Sequence, residues 1–174
     1  MDIKELSQVD QVDVLFADLD GTLIRTKSGK QFPENRDDWE LIPGILSAVS
    51  NSGAKVLLIV SNQGGIEKGF IKEFEFKAKL IQIIQVFKDR CEIPVLGNYC
   101  KSNDPHDYMR KPNIGMIEQG MDLVRAKGIK YTRVLMIGDA SGLEGQFSDS
   151  DKKCAENASI PYMDIKDFLL KYGG

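Results

Sequence analysis

The sequence predicts a doubly wound α/β fold, with a mostly parallel central sheet and helices on both faces. Three observations predict it. Apolar, β-branched runs recur along the chain as VDVLFAD (12–18), KVLLIVS (55–61) and RVLMIGD (133–139). Helical patterns lie between them, the order expected of strand–helix units. The runs are nearly continuous in apolar character, which marks strands covered on both faces and therefore parallel.

Each element follows from local pattern. After the first strand, residues 22–42 interrupt the alternation. LIRTKSGKQF carries a Ser-Gly turn between extended residues, which predicts a β-hairpin flap over about 22–34. Its charged residues are Arg25, Lys27 and Lys30, with no acid among them. Such a segment is either a solvated loop or a flap that meets an anionic substrate. Pro43-Gly44 opens a helix with Ile45, Leu46 and Val49 on one face and Gly53 as its stop. In EFEFKAKLIQIIQVFKDR (73–90), Phe74, Ala78, Ile81 and Ile84 repeat at a helical period, and this stripe is expected to pack in the core. PVLGNYC (94–100) and IPYMD (160–164) read as shorter strands. Residues 113–127 form a helix ended by Gly128, and 164–171 a last one. No repeat, linker or low-complexity tract appears, so one domain over 1–174 is expected, with a minimal cap.

Composition narrows the chemistry. A chain of 174 residues with 42% hydrophobic and 28% charged residues suits one globular domain. No apolar run approaches the ~20 residues of a membrane span, and MDIKELSQVD is too polar and acidic for a signal peptide. A net charge of -3 argues against a broad DNA-coating surface but leaves room for a local basic groove. Cys91, Cys100 and Cys154 are odd in number and widely spaced, as expected of reduced thiols in an intracellular protein. The expected location is nuclear in a eukaryote and cytoplasmic otherwise, and nothing in the sequence suggests an obligate oligomer. No Cys is followed six positions later by Arg, which excludes a cysteine phosphatase. Gly64 and Gly69 have the spacing of a phosphate-binding P-loop, but Phe70-Ile71 follow where Lys-Ser/Thr is required.

The residues that end the three best strands carry the chemistry. In open α/β sheets ligands bind at the carboxyl ends of the strands. The first strand ends in Asp18, with Asp20 just beyond; the second in Ser61 and Asn62; the third in Asp139. A lone Asp-x-Asp is ordinarily a turn or a helix cap. Three such strand ends together are not. Carboxylates crowded this way are costly without a cation, and hard oxygen ligands suit Mg²⁺. A cation there would bind a phosphate, and Lys111, in MRKPN ahead of a helix, would neutralise that phosphate from the side.

These residues resemble a known family. ADLDGTLI is similar to the first motif of the haloacid dehalogenase (HAD) superfamily, VSNQGG to its second, Lys111 to its third and IGDAS to its fourth. The closer resemblance is to the 3′-phosphatase domains of the polynucleotide kinase 3′-phosphatase family. It rests on GTLIRTKSGKQFPENRDDWE, SNQGGIEKG, RKPNIGM and GDASG followed by FSDSD. Ser61 stands where Thr is usual, and Leu143 follows Gly142 where animal relatives carry Arg. No kinase half is visible.

The resemblance implies a Mg²⁺-dependent polynucleotide 3′-phosphatase of DNA end healing. Asp18 is the implied nucleophile and forms an aspartyl-phosphate. Asp20 is the implied general acid, then base. Mg²⁺ is expected between Asp18, the backbone carbonyl of Asp20, and Asp139. Ser61 and Lys111 are expected to hold phosphoryl oxygens, with Asn62 fixing the loop and Gly21 and Thr22 shaping the turn. Asp151 is either a supporting acid or a helix N-terminal acid. Arg25, Lys27, Lys30 and Arg110 are the candidates for substrate phosphates, and Trp39, Tyr99 and Tyr108 for base stacking or for core and rim. The expected partner is a nucleic-acid 3′ end, with no membrane; repair-protein partners are left open. The alternatives are a small-molecule HAD phosphatase such as histidinol-phosphate or heptose-bisphosphate phosphatase, a phosphomutase, or a binding module. The small-molecule relatives carry a zinc loop, for which CKSNDPHDYMRKP offers only Cys100 and His106. A phosphomutase would need a larger cap, and a binding module would need a degenerate site.

Overall fold

A computed structural model describes residues 11–174. The expectation about the first ten residues lies outside them. In chain order the elements are β1 (Val14–Ala17), β2 (Ile24–Arg25), β3 (Glu40–Leu41), α1 (Ile45–Asn51), β4 (Val56–Asn62), α2 (Glu73–Cys91), β5 (Val95–Cys100), α3 (Gly115–Ala126), β6 (Val134–Gly138), α4 (Ser150–Asn157), β7 (Tyr162–Asp164) and α5 (Ile165–Tyr172). The main sheet runs β5-β4-β1-β6-β7 with every pair parallel. Among the described residues, no helix is long and apolar enough to cross a membrane.

The apolar runs are continuous because β1, the central strand, is covered on both sides. Leu15 and Ala17 join Leu57, Ile59, Phe76, Ile83, Phe87 and Phe168 on the α1–α2–α5 side. Val14 and Phe16 join Leu58, Val60, Met116, Val124 and Cys154 on the α3–α4 side. On that second side α3 lies so close that a Cβ at Gly120 would sit 2.6 Å from the Phe16 ring. At the amino end of β1, the Asp13 carboxylate accepts from Thr132 N (2.8 Å), Thr132 Oγ1 (3.1 Å) and Arg133 N (3.0 Å) and pairs with Lys55 (3.6 Å). The central strand is thus anchored at the end away from its catalytic candidates.

Two expectations are corrected here. Along α2, the stripe that faces the core is Phe76, Leu80, Ile83 and Phe87. Ile84 packs against the core, but Phe74 is 63% and Ile81 66% exposed. A helix advances about 100° per residue, so Phe74 and Phe76 point to nearly opposite faces. The sequence offers two apolar stripes, and only the position of the sheet selects between them. The flap does form, but its ladder pairs Ile24–Arg25 with Glu40–Leu41 and not across the Ser28-Gly29 turn. Asp38 claims that turn instead, accepting from Ser28 N (2.8 Å), Ser28 Oγ (2.7 Å) and Glu34 N (2.9 Å). The hydrogen bond from the Ser28 hydroxyl leads these in holding the Asp38 carboxyl down to about 2.

Candidate active site

Ala17 of β1 is in register with Ile59 of β4 and Ile137 of β6. The next residue on β1, Asp18, therefore emerges beside the end of β4, which carries Ser61 and Asn62, and the end of β6, which leads into Asp139. The parallel sheet brings all three strand ends to one edge, as the sequence predicts.

Lys111 is the centre of the cluster. It is 4% exposed. Its ammonium donates to Asp18 Oδ1 (2.8 Å) and Asp151 Oδ1 (2.7 Å). Burial works against its charge, but Asp18 and Asp151 outweigh burial and raise its pKa, so it stays protonated. Two partners place Lys111. The Asn62 side chain accepts from Lys111 N (2.9 Å) and donates to Lys111 O (3.0 Å), a two-point clamp on the backbone. Asn62 is thereby spent on positioning Lys111. Asp151, in the first turn of α4, also accepts from Ala140 N (3.1 Å). A Cβ at Gly138 would come within 2.4 Å of Asp151 Oδ2, so the close approach of Asp151 requires glycine there.

Thr22 is fully buried and its hydroxyl donates to Asp18 Oδ2 at 3.4 Å. Gly21 has φ +82, and a Cβ on it would lie 2.0 Å from Asp139 Oδ2. The turn after Asp18 thus passes hard against Asp139, in a conformation that glycine adopts without strain.

Carboxylate oxygens of Asp18, Asp139 and Asp151 lie within 4.8 Å of one another. It is the only group of three or more Asp, Glu, His or Cys residues so arranged among the described residues. Asp18 and Asp151 have Lys111; among the described residues Asp139 forms no ion pair. Burial, then the neighbouring Asp18 charge, pushes Asp139 up to about 8. An all-oxygen set with one carboxylate short of a countercharge is a fit for a hard divalent cation.

Asp20 points elsewhere. Its Oδ2 accepts from Gln63 Nε2 (2.8 Å), and the same nitrogen donates to Ser61 Oγ (2.7 Å). The side chain of Asp20 is therefore outside the acidic cluster, and the residue that passes Asp139 is Gly21, directly after it. Gln63 was not among the residues the sequence singled out; its place directly after Ser-Asn is the one signal that pointed to it.

Of the expected rim cations, Arg25 pairs with Glu40 (3.1 Å), Lys30 pairs with Glu34, and Arg110 donates to Ser102 O (3.0 Å). Lys27 is exposed. The acids come from the returning limb of the flap, which is why the limb 22–32 read alone appeared purely basic. Tyr99 is held by Glu73 through its hydroxyl (2.8 Å) and packs edge-on against Phe76, and Trp39 packs on the core. Tyr108 is exposed, as are Phe32, Phe70 and Phe147, which the sequence reading passed over. All four stand on loops that leave the carboxyl edge of the sheet or on the flap. Cys100 is buried and His106 exposed, and neither has the company a zinc site needs. All three cysteines are free.

A family model described as polynucleotide kinase 3 phosphatase matches residues 13–169. The bifunctional polynucleotide phosphatase/kinase of Schizosaccharomyces pombe is 30% identical over 158 residues, covering 88% of this chain. This chain spans only 36% of that protein's length. The polynucleotide 3′-phosphatase of Saccharomyces cerevisiae is 26% identical over 204 residues, with 87% of this chain and 84% of the relative covered. Among solved structures, the fold is similar to a D,D-heptose 1,7-bisphosphate phosphatase from B. bronchiseptica complexed with magnesium and phosphate. The TM-score is 0.63 at 18% identity, over 93% of this chain and 88% of the other.

Proposed function

Because the chain belongs to the polynucleotide kinase 3 phosphatase family, we propose that it is a Mg²⁺-dependent polynucleotide 3′-phosphatase acting on nucleic-acid ends, DNA first among them. It is a phosphatase of HAD-like fold, a phosphoric monoester hydrolase. The observation that carries the finer reading is the unlike placement of its two aspartates. Asp18 is buried at the end of the central strand, one oxygen held by the Lys111 ammonium, the fixed placement a nucleophile needs. Asp20 reaches away from that cation, exposed and held by Gln63, the placement of a group that meets the leaving oxygen.

In the proposed reaction an Asp18 oxygen forms a new bond to phosphorus. The bond from phosphorus to the sugar 3′ oxygen breaks, and Asp20 gives that oxygen its proton. The aspartyl-phosphate is then cleaved by water, from which Asp20 takes a proton back. The Ser61 hydroxyl and Lys111 hold the non-bridging oxygens, while Asn62, Thr22 and Gly21 hold Lys111, Asp18 and the turn in place. Asp18 and Asp139 would hold Mg²⁺, with the backbone of Asp20 alongside. When bound, the ion supplies positive charge between an anionic nucleophile and an anionic phosphoryl group.

An end of a polymer suits the site. Phe32 of the flap and Phe70, Tyr108 and Phe147 on the loops that leave this edge are exposed, and the flap also carries Arg25, Lys27 and Lys30. Exposed ion pairs such as Arg25–Glu40 are worth little and exchange readily for phosphate contacts. The test is phosphate release, with and without Mg²⁺, from an oligodeoxynucleotide bearing a 3′-phosphate. A 5′-phosphorylated strand, histidinol phosphate, a heptose bisphosphate and Asp18→Asn run beside it. Release from the 3′ end alone, lost in Asp18→Asn, is expected. Turnover of the small molecules but not the oligonucleotide would overturn the substrate and leave the mechanism.

A further inference from the structure

The geometry assigns a positioning role to Gln63: it ties the Asp20 carboxyl to Ser61 and so aims the acid at the oxygen that leaves the gripped phosphate. The inference rests on the reading of Asp18 as nucleophile and Asp20 as acid. An amide nitrogen has two hydrogens, and in Gln63 both are used, one on Asp20 Oδ2 at 2.8 Å and one on Ser61 Oγ at 2.7 Å. Each acceptor is left with a defined remainder. Ser61 receives from Gln63 and keeps its own hydrogen to donate to a phosphoryl oxygen. Asp20 is held through Oδ2, which leaves Oδ1 for the leaving group.

The direction of the amide follows from its neighbours. The nitrogen end faces both oxygens, the orientation that suits Asp20 in its ionised form. Gln63 is held through its backbone. Gln63 follows β4 directly, its N donates to Cys100 O (2.7 Å) and its O accepts from Ile66 N (3.1 Å). Asp20 is exposed and sits in a turn, and among the described residues no other side chain hydrogen-bonds to it. One side chain therefore links the group that grips the phosphate to the group that protonates the leaving oxygen.

Two leaving groups separate this role from a merely structural one. The sugar 3′ oxygen needs a proton as it departs; p-nitrophenolate leaves as a stable anion and does not. In Gln63→Ala, kcat/KM, which reports the step in which the leaving group departs and not the shared hydrolysis of the aspartyl-phosphate, is expected to fall about 10²-fold on the 3′-phosphorylated oligonucleotide and less than about 3-fold on p-nitrophenyl phosphate. Gln63→Glu, close in shape but without the amide donor, is expected to give the same split. Inorganic phosphate inhibition and thermal melts check the pocket and the fold in each variant. Equal losses on both substrates, or no loss on either, would overturn the assignment. Should the oligonucleotide prove not to be the substrate, β-glycerophosphate supplies the alkyl leaving group and the ratio is read as before. A wild-type protein inactive on every ester would sink the phosphatase mechanism, and this role with it.

Discussion

Lowering the pH from about 8.5 to about 6.5 should weaken Mg²⁺ binding by about 25-fold, because a proton must leave Asp139 before a cation can take its place. The magnitude comes from the site. Asp139 is pushed up to about 8 by burial and by Asp18. Competition by a single proton weakens binding by about 33-fold at about pH 6.5 and only about 1.3-fold at about pH 8.5. The same equilibrium fixes the protons released per ion, close to one at the lower pH and a small fraction at the higher. Calorimetric titration of MgCl₂ in buffers of different ionisation enthalpy measures both quantities. Stability carries the opposite sign. A carboxyl whose folded pKa lies above its unfolded value stabilises the fold while it is protonated. The metal-free melting temperature should therefore fall from about pH 6 to about pH 8 as this proton is lost, and MgCl₂ should restore most at the alkaline end. Asp139→Asn should flatten the metal-free trend. Mg²⁺ affinity independent of pH across this range, with no proton release, would refute the reasoning.

Three further outcomes are expected. Lys111→Met leaves the buried Asp18 and Asp151 facing each other without their cation. It should abolish turnover and cost about 3–5 kcal/mol of unfolding free energy, read by urea denaturation and recovered in part as the pH is lowered. Gly120→Ala brings a Cβ to 2.6 Å from the Phe16 ring. In place of the usual helix gain from alanine it should lose about 1–3 kcal/mol, with part returned when Phe16 is shortened to Leu in the same chain. Asp38→Asn removes a charged acceptor from the flap turn. Limited proteolysis within residues 26–37 should quicken and KM for an oligonucleotide should rise, while p-nitrophenyl phosphate turnover stays as it was.

The residues most legible in the sequence are those that end apolar runs. Asp18, Ser61, Asn62 and Asp139 each close a strand whose pattern declares it parallel, and parallel strands share a carboxyl edge. Lys111 was legible as a cation near that edge, but its grip on Asp151, 40 positions along the chain, depends on where α4 begins. Asp151 itself could equally have been a helix-terminal acid. Gln63 was hidden because its task depends on the direction of a neighbouring side chain, which no spacing encodes. The outward face of α2 was misread for a related reason: two apolar stripes on one helix are equal until the sheet breaks the tie. The flap misled because hairpin patterns weigh adjacent residues, whereas Asp38 reaches back across ten positions to Ser28.

The flap has one more consequence. Its side-chain hydrogen bonds from Thr26 to Asp38 all close within the segment itself. Its two limbs are closed at the base by a ladder of two residue pairs. Loops so self-contained tolerate insertion and replacement. This segment is therefore a cassette: an ancestor could have exchanged it, lengthened it or recharged it without disturbing the ionic balance around Lys111. New substrates could be tried at little risk to the chemistry, and a laboratory library confined to residues 26–37 would repeat that experiment.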